Sequence, residues 1–190
     1  MLLHTDSTLE EVWADVVQEL RRGAVDKKHP FRFIALSTVA SGKPSVRYVV
    51  LRKLDDDLNC FIYTDSRSAK TVELQQNDAA SLLLYHPRKR FQLRLDGHIS
   101  IHHRDEISQH HWQNVQGEAH KAYTATIAPG TTLSNRHDAY EWPEDPDDRY
   151  FTVLIFKPLL MDALQLNGLE HLRATFENTA EGWQKRWIAP

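Results

Sequence analysis

The feature that most limits the fold of this chain is a change of hydrophobic period near residue 30. Before it, Leu9, Val12, Trp13, Val16, Val17 and Leu20 recur at helical spacing. After it, β-branched and aromatic residues gather in short runs at 31–38, 45–53, 58–63, 79–85 and 90–101. Turns divide these runs at Ala40-Ser41-Gly42-Lys43-Pro44, at Asp55-Asp56-Asp57 and at His86-Pro87-Arg88-Lys89. One short helix, about 68–76, interrupts five strands. A parallel sheet needs a long crossover between successive strands, and these connections are too short for one. The spacing therefore predicts a mainly β fold with flanking helices, built as an antiparallel barrel.

The opening helix is expected to start at a capping box of Ser7 and Glu10. Arg21 and Arg22 suit its last turn, and Gly23 is expected to close it. A second, polar helix is expected over 105–123, then a Pro/Gly/Asp-rich loop over 124–148. That loop is too long to be a mere connection and is a candidate for contact with a partner or ligand. Strands resume at 150–157, 160–166 and 171–188. The expected organisation is a single domain over 1–190, with an N-terminal helix (1–24), a helix-and-loop excursion (105–148) and C-terminal strands (150–190).

A formal charge of −3 argues against bulk binding to nucleic acid or an anionic membrane. The basic stretch Arg88-Lys89-Arg90, continuing to Arg94, reads as a solvated hairpin turn. The single cysteine, Cys60, lies in an apolar strand, which suits core packing and a reducing compartment. No signal pattern or membrane-length apolar run is present, so the expected location is cytoplasmic. Eleven histidines raise the question of a metal, yet His102-His103 and His110-His111 are adjacent pairs and no His-Glu-x-x-His occurs. No metal site is expected, and the histidines are read as solvated.

Two segments carry the chemistry. Arg47-Tyr48-Val49-Val50-Leu51-Arg52 reads as a strand with a cation at each end. Tyr63-Thr64-Asp65-Ser66-Arg67-Ser68-Ala69-Lys70 runs off a strand into a turn and a helix start. The first N–H groups of a helix have no internal partner, so Ser68 and Lys70 there, with Arg47 on a neighbouring strand, suit a phosphate dianion. Arg47 and Arg52 are five residues apart and leave a regular strand on opposite faces. The same cations would also suit an exposed edge strand, where they discourage aggregation. Gln92 and Arg94 alternate with Phe91, Leu93 and Leu95, and the Gln92 amide can read the edge of a heteroaromatic ring as donor and acceptor.

These residues resemble, in order, the signatures of the pyridoxamine 5′-phosphate oxidase family. The likeness runs through Arg47-x-Val-Val-Leu-Arg52, Phe61-Ile62-Tyr63-Thr64-Asp65-x-x-Ser68-x-Lys70 and Gln92-Leu-Arg-Leu-x-Gly97. It continues at His171-Leu172-Arg173 and at Gly182-Trp183 to Ala189-Pro190, covering about 31–190. The resemblance implies an antiparallel Greek-key, FMN-binding split β-barrel, and a homodimer with FMN at the subunit interface. It implies that Arg47, Ser68 and Lys70 hold the FMN phosphate, with Ala69 between them. It further implies that the strand from Tyr48 through Val49 and Val50 to Leu51, with Tyr63, Thr64 and Gln92, contacts the flavin. Arg52 stands where the family usually has a lysine serving the substrate. His171 and Arg173 match substrate and flavin contacts supplied by the partner subunit.

The departures narrow the function. Ala69 replaces an Arg frequent in the family. The helix after the Gln92 strand shows either His110, Asn114 and Glu118 or His111, Val115 and Ala119, where the authentic oxidases present a Tyr, an Arg and a Ser to the substrate phosphate. Glu118 would repel a dianion, although Arg136 of the long loop could restore a charge. An aromatic expected before His171 is also absent, where Ala163 and Leu164 stand. The expected function is a related FMN-dependent oxidoreductase that moves a hydride from a small anionic substrate to flavin N5, with His171, Arg173 and Arg52 as catalytic candidates. The alternatives are the authentic pyridoxamine/pyridoxine 5′-phosphate oxidase and a non-catalytic flavin-binding module.

Overall fold

The computed structural model describes residues 1–190. Helix α1 (Leu9–Val25) buries Val12, Val16 and Leu20 against the barrel. Its capping box lies one residue later than the sequence suggests. Thr8 Oγ1 accepts from the Glu11 N–H at 3.3 Å, and the Glu11 carboxylate accepts from the Thr8 N–H at 2.8 Å. Ser7 Oγ instead accepts from the His4 N–H. Gly23 does not end the helix, which continues to Val25 and is capped by Asp26. Gly23 serves close packing, since a Cβ there would lie 2.6 Å from Phe31 Cβ.

The strands are β1 (Phe33–Ala40), β2 (Lys43–Leu54), β3 (Cys60–Asp65), β4 (Ala79–His86), β5 (Phe91–His103), β6 (Phe151–Gln165), β7 (Leu172–Thr179) and β8 (Gly182–Ile188). Helix α2 (Ala69–Gln76) joins β3 to β4. All pairings are antiparallel, in the order β3-β2-β1-β4-β5-β6-β7-β8. Pairing of β3 with β6 closes β1 to β6 into a six-stranded barrel. This is the expected mainly β split barrel.

The two strands expected at 150–157 and 160–166 are one, β6. Its first half pairs with β3 (Phe151–Phe156 against Cys60–Asp65) and its second half with β7 (Leu160–Gln165 against Leu172–Glu177). Strand β6 thus changes neighbour along one edge, leaving the barrel to found the β7–β8 extension. Pro158 marks the change and pairs with Gly97 where the β5–β6 register shifts. Proline gives no N–H to a ladder and is tolerated where the ladder breaks. Gly97 is required there, because a Cβ would stand 2.0 Å from the Lys157 carbonyl oxygen.

The helix expected over 105–123 is also divided. Helix α3 (Glu106–Trp112) stops early, and a 3-10 turn (Gly117–Tyr123) follows. Gly117, at φ 53°, adopts the left-handed conformation that ends one direction and starts the next. The solvated reading of the histidines fails at His29, His86 and His111, which are buried. Cys60 is core as expected, and burial pushes its thiol up to about 12.

One sheet face stays open. Phe33, Val46, Tyr48, Leu83 and Tyr85 are exposed on β1, β2 and β4, with Tyr48 at 78 %. Register places Tyr48 opposite Ala35, Ala35 opposite Leu83, and Tyr85 opposite Gln92. The Tyr85–Gln92 row, two residues along β4 from the Tyr48–Leu83 row and so on the same face, continues through Leu164 to Arg173. Gln92 and Arg173 therefore share a face with the exposed aromatic residues, since directly opposed residues point to the same side.

Candidate functional site

The turn from β3 into α2 gathers a cationic cradle. Lys70 Nζ donates to Thr64 Oγ1 at 2.8 Å and to Ser68 Oγ at 3.1 Å, and Ser68 Oγ lies 3.0 Å from Thr71 Oγ1. Ser68 is the N-cap of α2, but its side chain makes no capping bond. The hydroxyl is directed to Lys70, and the first N–H groups of the helix have no internal partner. Burial, then the neighbouring Arg47 cation, holds the Lys70 ammonium below its usual range. A half-desolvated ammonium whose partners are hydroxyls, beside a second cation, fits a phosphate dianion. Of the expected Arg47–Ser68–Lys70 grouping, Ser68 and Lys70 are in contact, while Arg47 of β2 is near enough to act on the Lys70 charge but bonds to other partners.

Three residues of the cradle were not foreseen. The Arg47 guanidinium donates to Thr38 Oγ1 at 2.5 Å, to Ser45 Oγ, and to Glu73 Oε2 at 2.6 Å. Thr38 and Ser45 sit on β1 and β2 in antiparallel register, a pairing that sequence spacing does not announce. Glu73 lies one helical turn beyond Lys70, and that spacing was the available signal. Arg67, in the midst of the motif, turns away. It forms a bidentate pair with Asp65 (3.0 and 2.7 Å), covers the Tyr150 ring at 3.4 Å and donates to the Ala125 and Thr126 carbonyls. Arg67 thus anchors the long loop at its first residues.

Arg52 leaves β2 on the opposite face, as its spacing from Arg47 predicts. It is the residue at which the β2–β3 register shifts. Arg52 NH2 donates to Tyr123 Oη at 2.7 Å, the guanidinium lies 5.8 Å from the Tyr63 ring centroid, and its buried Nε has no partner. Tyr63 Oη lies 2.8 Å from His111 Nδ1. Burial, then Tyr123, raises the Tyr63 pKa, while burial, then Lys53, lowers that of His111. Both groups are thus neutral, a phenol and an imidazole sharing one hydrogen bond. Phe151, Trp112 and Phe61 pack around this polar pair. The inward face of α3 carries His111, and Val115 is buried just beyond it. Glu118 is exposed and paired with Lys121, so it does not oppose an anion here. Arg136 is exposed on the loop, with its Nε toward His137.

The remaining candidates lie on or near the open face. Val49 and Leu51 are buried beneath it, and Tyr48 and Val50 alternate outward. Arg173 is held by Asp162 in a bidentate pair at 2.9 and 2.7 Å, and Arg94 also reaches Asp162. His171 Nδ1 accepts from the Asn167 N–H at 3.0 Å in the turn before β7. Within this single chain, neither His171 nor Arg173 touches the Arg47–Lys70 cradle.

A second polar cluster lies elsewhere. Glu19 of α1 is buried beside His29, His86, Lys89 and Arg22. His29 Nε2 is 3.2 Å and His86 Nε2 3.9 Å from Glu19 Oε2. The three side chains bring ligand atoms close enough for a metal. However, both Nδ1 atoms accept backbone N–H groups, of Phe31 and of Lys89. Each neutral ring therefore carries its proton on Nε2. A cation at Nε2 would force a proton onto Nδ1, donor against donor. The cluster is an internal ion pair that fastens α1 to the β4–β5 hairpin, and Lys89 belongs to it rather than to a solvated turn.

Comparisons with known proteins agree with this geometry. The family description "Pyridoxamine 5′-phosphate oxidase, FMN-binding domain" matches residues 10–103. The chain is 25% identical over 166 residues to the pyridoxine/pyridoxamine 5′-phosphate oxidase of Ehrlichia chaffeensis, covering 82% of this chain and 81% of that one. The corresponding Ruegeria protein is 40% identical over 68 residues, but only 35% of this chain and 33% of that one are covered. Among solved structures, a pyridoxamine 5′-phosphate oxidase-related, FMN binding protein from Nostoc punctiforme superposes with TM-score 0.79, 25% identity and full coverage of both chains. PhzG from Burkholderia lata shares the fold at TM-score 0.71 and 20% identity, covering 96% of this chain and 90% of that one. Motif order, barrel closure and likeness along the whole chain converge: residues 10–103 match the pyridoxamine 5′-phosphate oxidase FMN-binding domain, and the chain as a whole has the split-barrel fold of proteins related to that oxidase.

Proposed function

We propose that the protein is an FMN-dependent oxidoreductase acting on a small anionic substrate, as a homodimer with FMN at the interface. The observation that carries this reading is the cradle. Ser68, Thr64 and Lys70 meet at a helix start, with the Arg47 guanidinium near enough to act on the Lys70 charge, and these two cations and two hydroxyls are the donor set a terminal phosphate requires. FMN suits it better than a dinucleotide, because no Gly-x-Gly-x-x-Gly is present to hold a pyrophosphate. When bound, FMN supplies a hydride acceptor at N5 of its ring.

The open sheet face supports the dimer. An exposed Tyr48, Phe33, Val46, Leu83 and Tyr85 form an apolar surface of the kind that marks subunit contact. Gln92 and Arg173 stand in its register row. In a two-fold dimer they would face the partner's flavin, with His171 of the same chain near the reacting carbon. Arg52, with an unpartnered Nε beside Tyr123, is placed to orient a substrate anion. His111, neutral and hydrogen-bonded to Tyr63, is a group that can take a proton.

The chain reads as a related branch rather than the authentic oxidase. No arginine lies on the inward side of α3, which carries His111 instead, with Val115 buried just beyond the helix. Purified protein is expected to carry FMN and to sediment as a dimer. An anaerobic flavin-reduction panel with pyridoxamine 5′-phosphate, pyridoxine 5′-phosphate, NADH and NADPH tests the reaction. Little reduction by the two vitamers is expected; steady turnover of either would restore the authentic oxidase reading, and no reduction by any donor would favour the binding module. A colourless protein that fails to bind added FMN would overturn the proposal.

A further inference from the structure

We propose that Glu73 is a built-in competitor for the cofactor phosphate, so that FMN binds by displacing a carboxylate and is held as an exchangeable ligand. This rests on the FMN reading above and concerns what sets the affinity of that site. A guanidinium grips a phosphate through two parallel N–H groups, either the NH1/NH2 end or the Nε/NH2 side. Both forks need NH2. In Arg47 one NH2 hydrogen goes to Glu73 Oε2 at 2.6 Å and the other to Ser45 Oγ. NH1 goes to Thr38 Oγ1, which in turn donates to the same Glu73 oxygen at 2.5 Å. Neither fork is free while Glu73 stays.

The charges facing this point lead to the same conclusion. Arg47 comes from β2, Lys70 and Glu73 from α2, and Asp65 from β3 is already paired with Arg67. Two cations and one carboxylate leave a net single positive charge. A phosphate dianion entering beside Glu73 would meet that carboxylate at close range, whereas one replacing it would meet two cations. Ala69 adds no third. Departure is feasible because Glu73 lies at the cradle's rim, with its side chain 17 % exposed, and is held by one oxygen. Rotation about its own side-chain bonds returns the carboxylate to water without moving the helix.

The test is equilibrium titration of wild type, Glu73→Gln and Glu73→Ala with FMN and with riboflavin, which lacks the phosphate, followed by flavin fluorescence quenching. Circular dichroism establishes that each variant is folded. The alanine variant is included because a glutamine amide oxygen can keep the Arg47 bond. FMN is expected to bind about tenfold more tightly when the carboxylate is removed, the scale of one charge pair in a partly exposed site. Riboflavin affinity should not change. Tightening in both variants, or in the alanine variant alone, supports the proposal. FMN binding that is unchanged or weaker in both would overturn it and make Glu73 a positioning residue for Arg47. An equal change for riboflavin would also overturn it. If neither wild type nor variants bind FMN, the proposed function itself fails, which separates the two conclusions.

Discussion

Two carboxylates in this protein are surrounded by cations, and they differ in what they can release. Glu19 is sealed in the interior by Arg22, His29, His86 and Lys89, four residues from the end of α1, the following turn and the β4–β5 hairpin. Glu73 sits at the rim of the phosphate cradle, held by Arg47 and Thr38 beside a helix start. Each is ionised. Burial works against the Glu19 charge, but Lys89, Arg22 and His29 outweigh it and hold its pKa low. Burial likewise opposes the Glu73 charge, and Thr38 and Arg47 overcome it. The difference lies in exit. A cluster of opposite charges is structural when its anion cannot leave, and becomes a ligand site when a stronger anion can replace it.

The largest expected effect tests the sealed cluster. Glu19→Ala leaves two histidines, Lys89 and Arg22 around an unfilled position, and should cost about 3–5 kcal/mol of stability by denaturant unfolding. Its pH dependence should also differ from that of the cradle. His29 and His86 are held below their usual pKa, first by burial and against the pull of Glu19. Their unfolded forms therefore take up protons first, and stability should fall as pH drops below the ordinary value of 6.5. Replacing both by Gln should flatten that slope in part, with His111 accounting for the remainder. The Glu73 carboxyl is held below its ordinary value of 4.5, Thr38 and Arg47 outweighing burial, so the cradle should lose stability only as pH falls below that value.

The next effect tests the cradle. Arg47→Ala or Lys70→Ala should weaken FMN binding by roughly 1.5–3 kcal/mol with little change in riboflavin affinity. If FMN affinity survives the double substitution, the cradle is no ligand site and the contrast with Glu19 collapses. A smaller effect concerns the Arg52 side of β2. Tyr123→Phe removes the acceptor of Arg52 NH2 and should cost roughly 1 kcal/mol of stability while leaving FMN affinity unchanged. The smallest is the stability change in cofactor-free Glu73→Gln, expected below about 1 kcal/mol for a partly exposed ion pair. A loss as large as that of Glu19→Ala would mean that both carboxylates are structural.

Residues close in sequence gave the sequence reading its reach. Thr64, Ser68 and Lys70 fall within seven positions, and a strand-to-helix turn brings them together whatever the rest of the chain does. Arg47 and Arg52 were placed on opposite faces by strand geometry alone. The boundaries that failed each depended on a distant partner. Pro158 looked like the end of a strand, but it pairs with Gly97, and β6 passes through. Gly23 looked like a helix stop, but it is small because Phe31 presses on it.

The sequence by itself determined the antiparallel class, the barrel's run of strands and the phosphate-seeking turn, because period, turn chemistry and helix-start chemistry act over a few residues. Only the tertiary structure decided that Thr38 and Glu73 share the Arg47 guanidinium, that Tyr123 meets Arg52 across 71 positions, and that His29 and His86 close on Glu19. Those contacts depend on strand register and on how helices settle over the barrel. A shift of one residue in either would point the same side chains elsewhere.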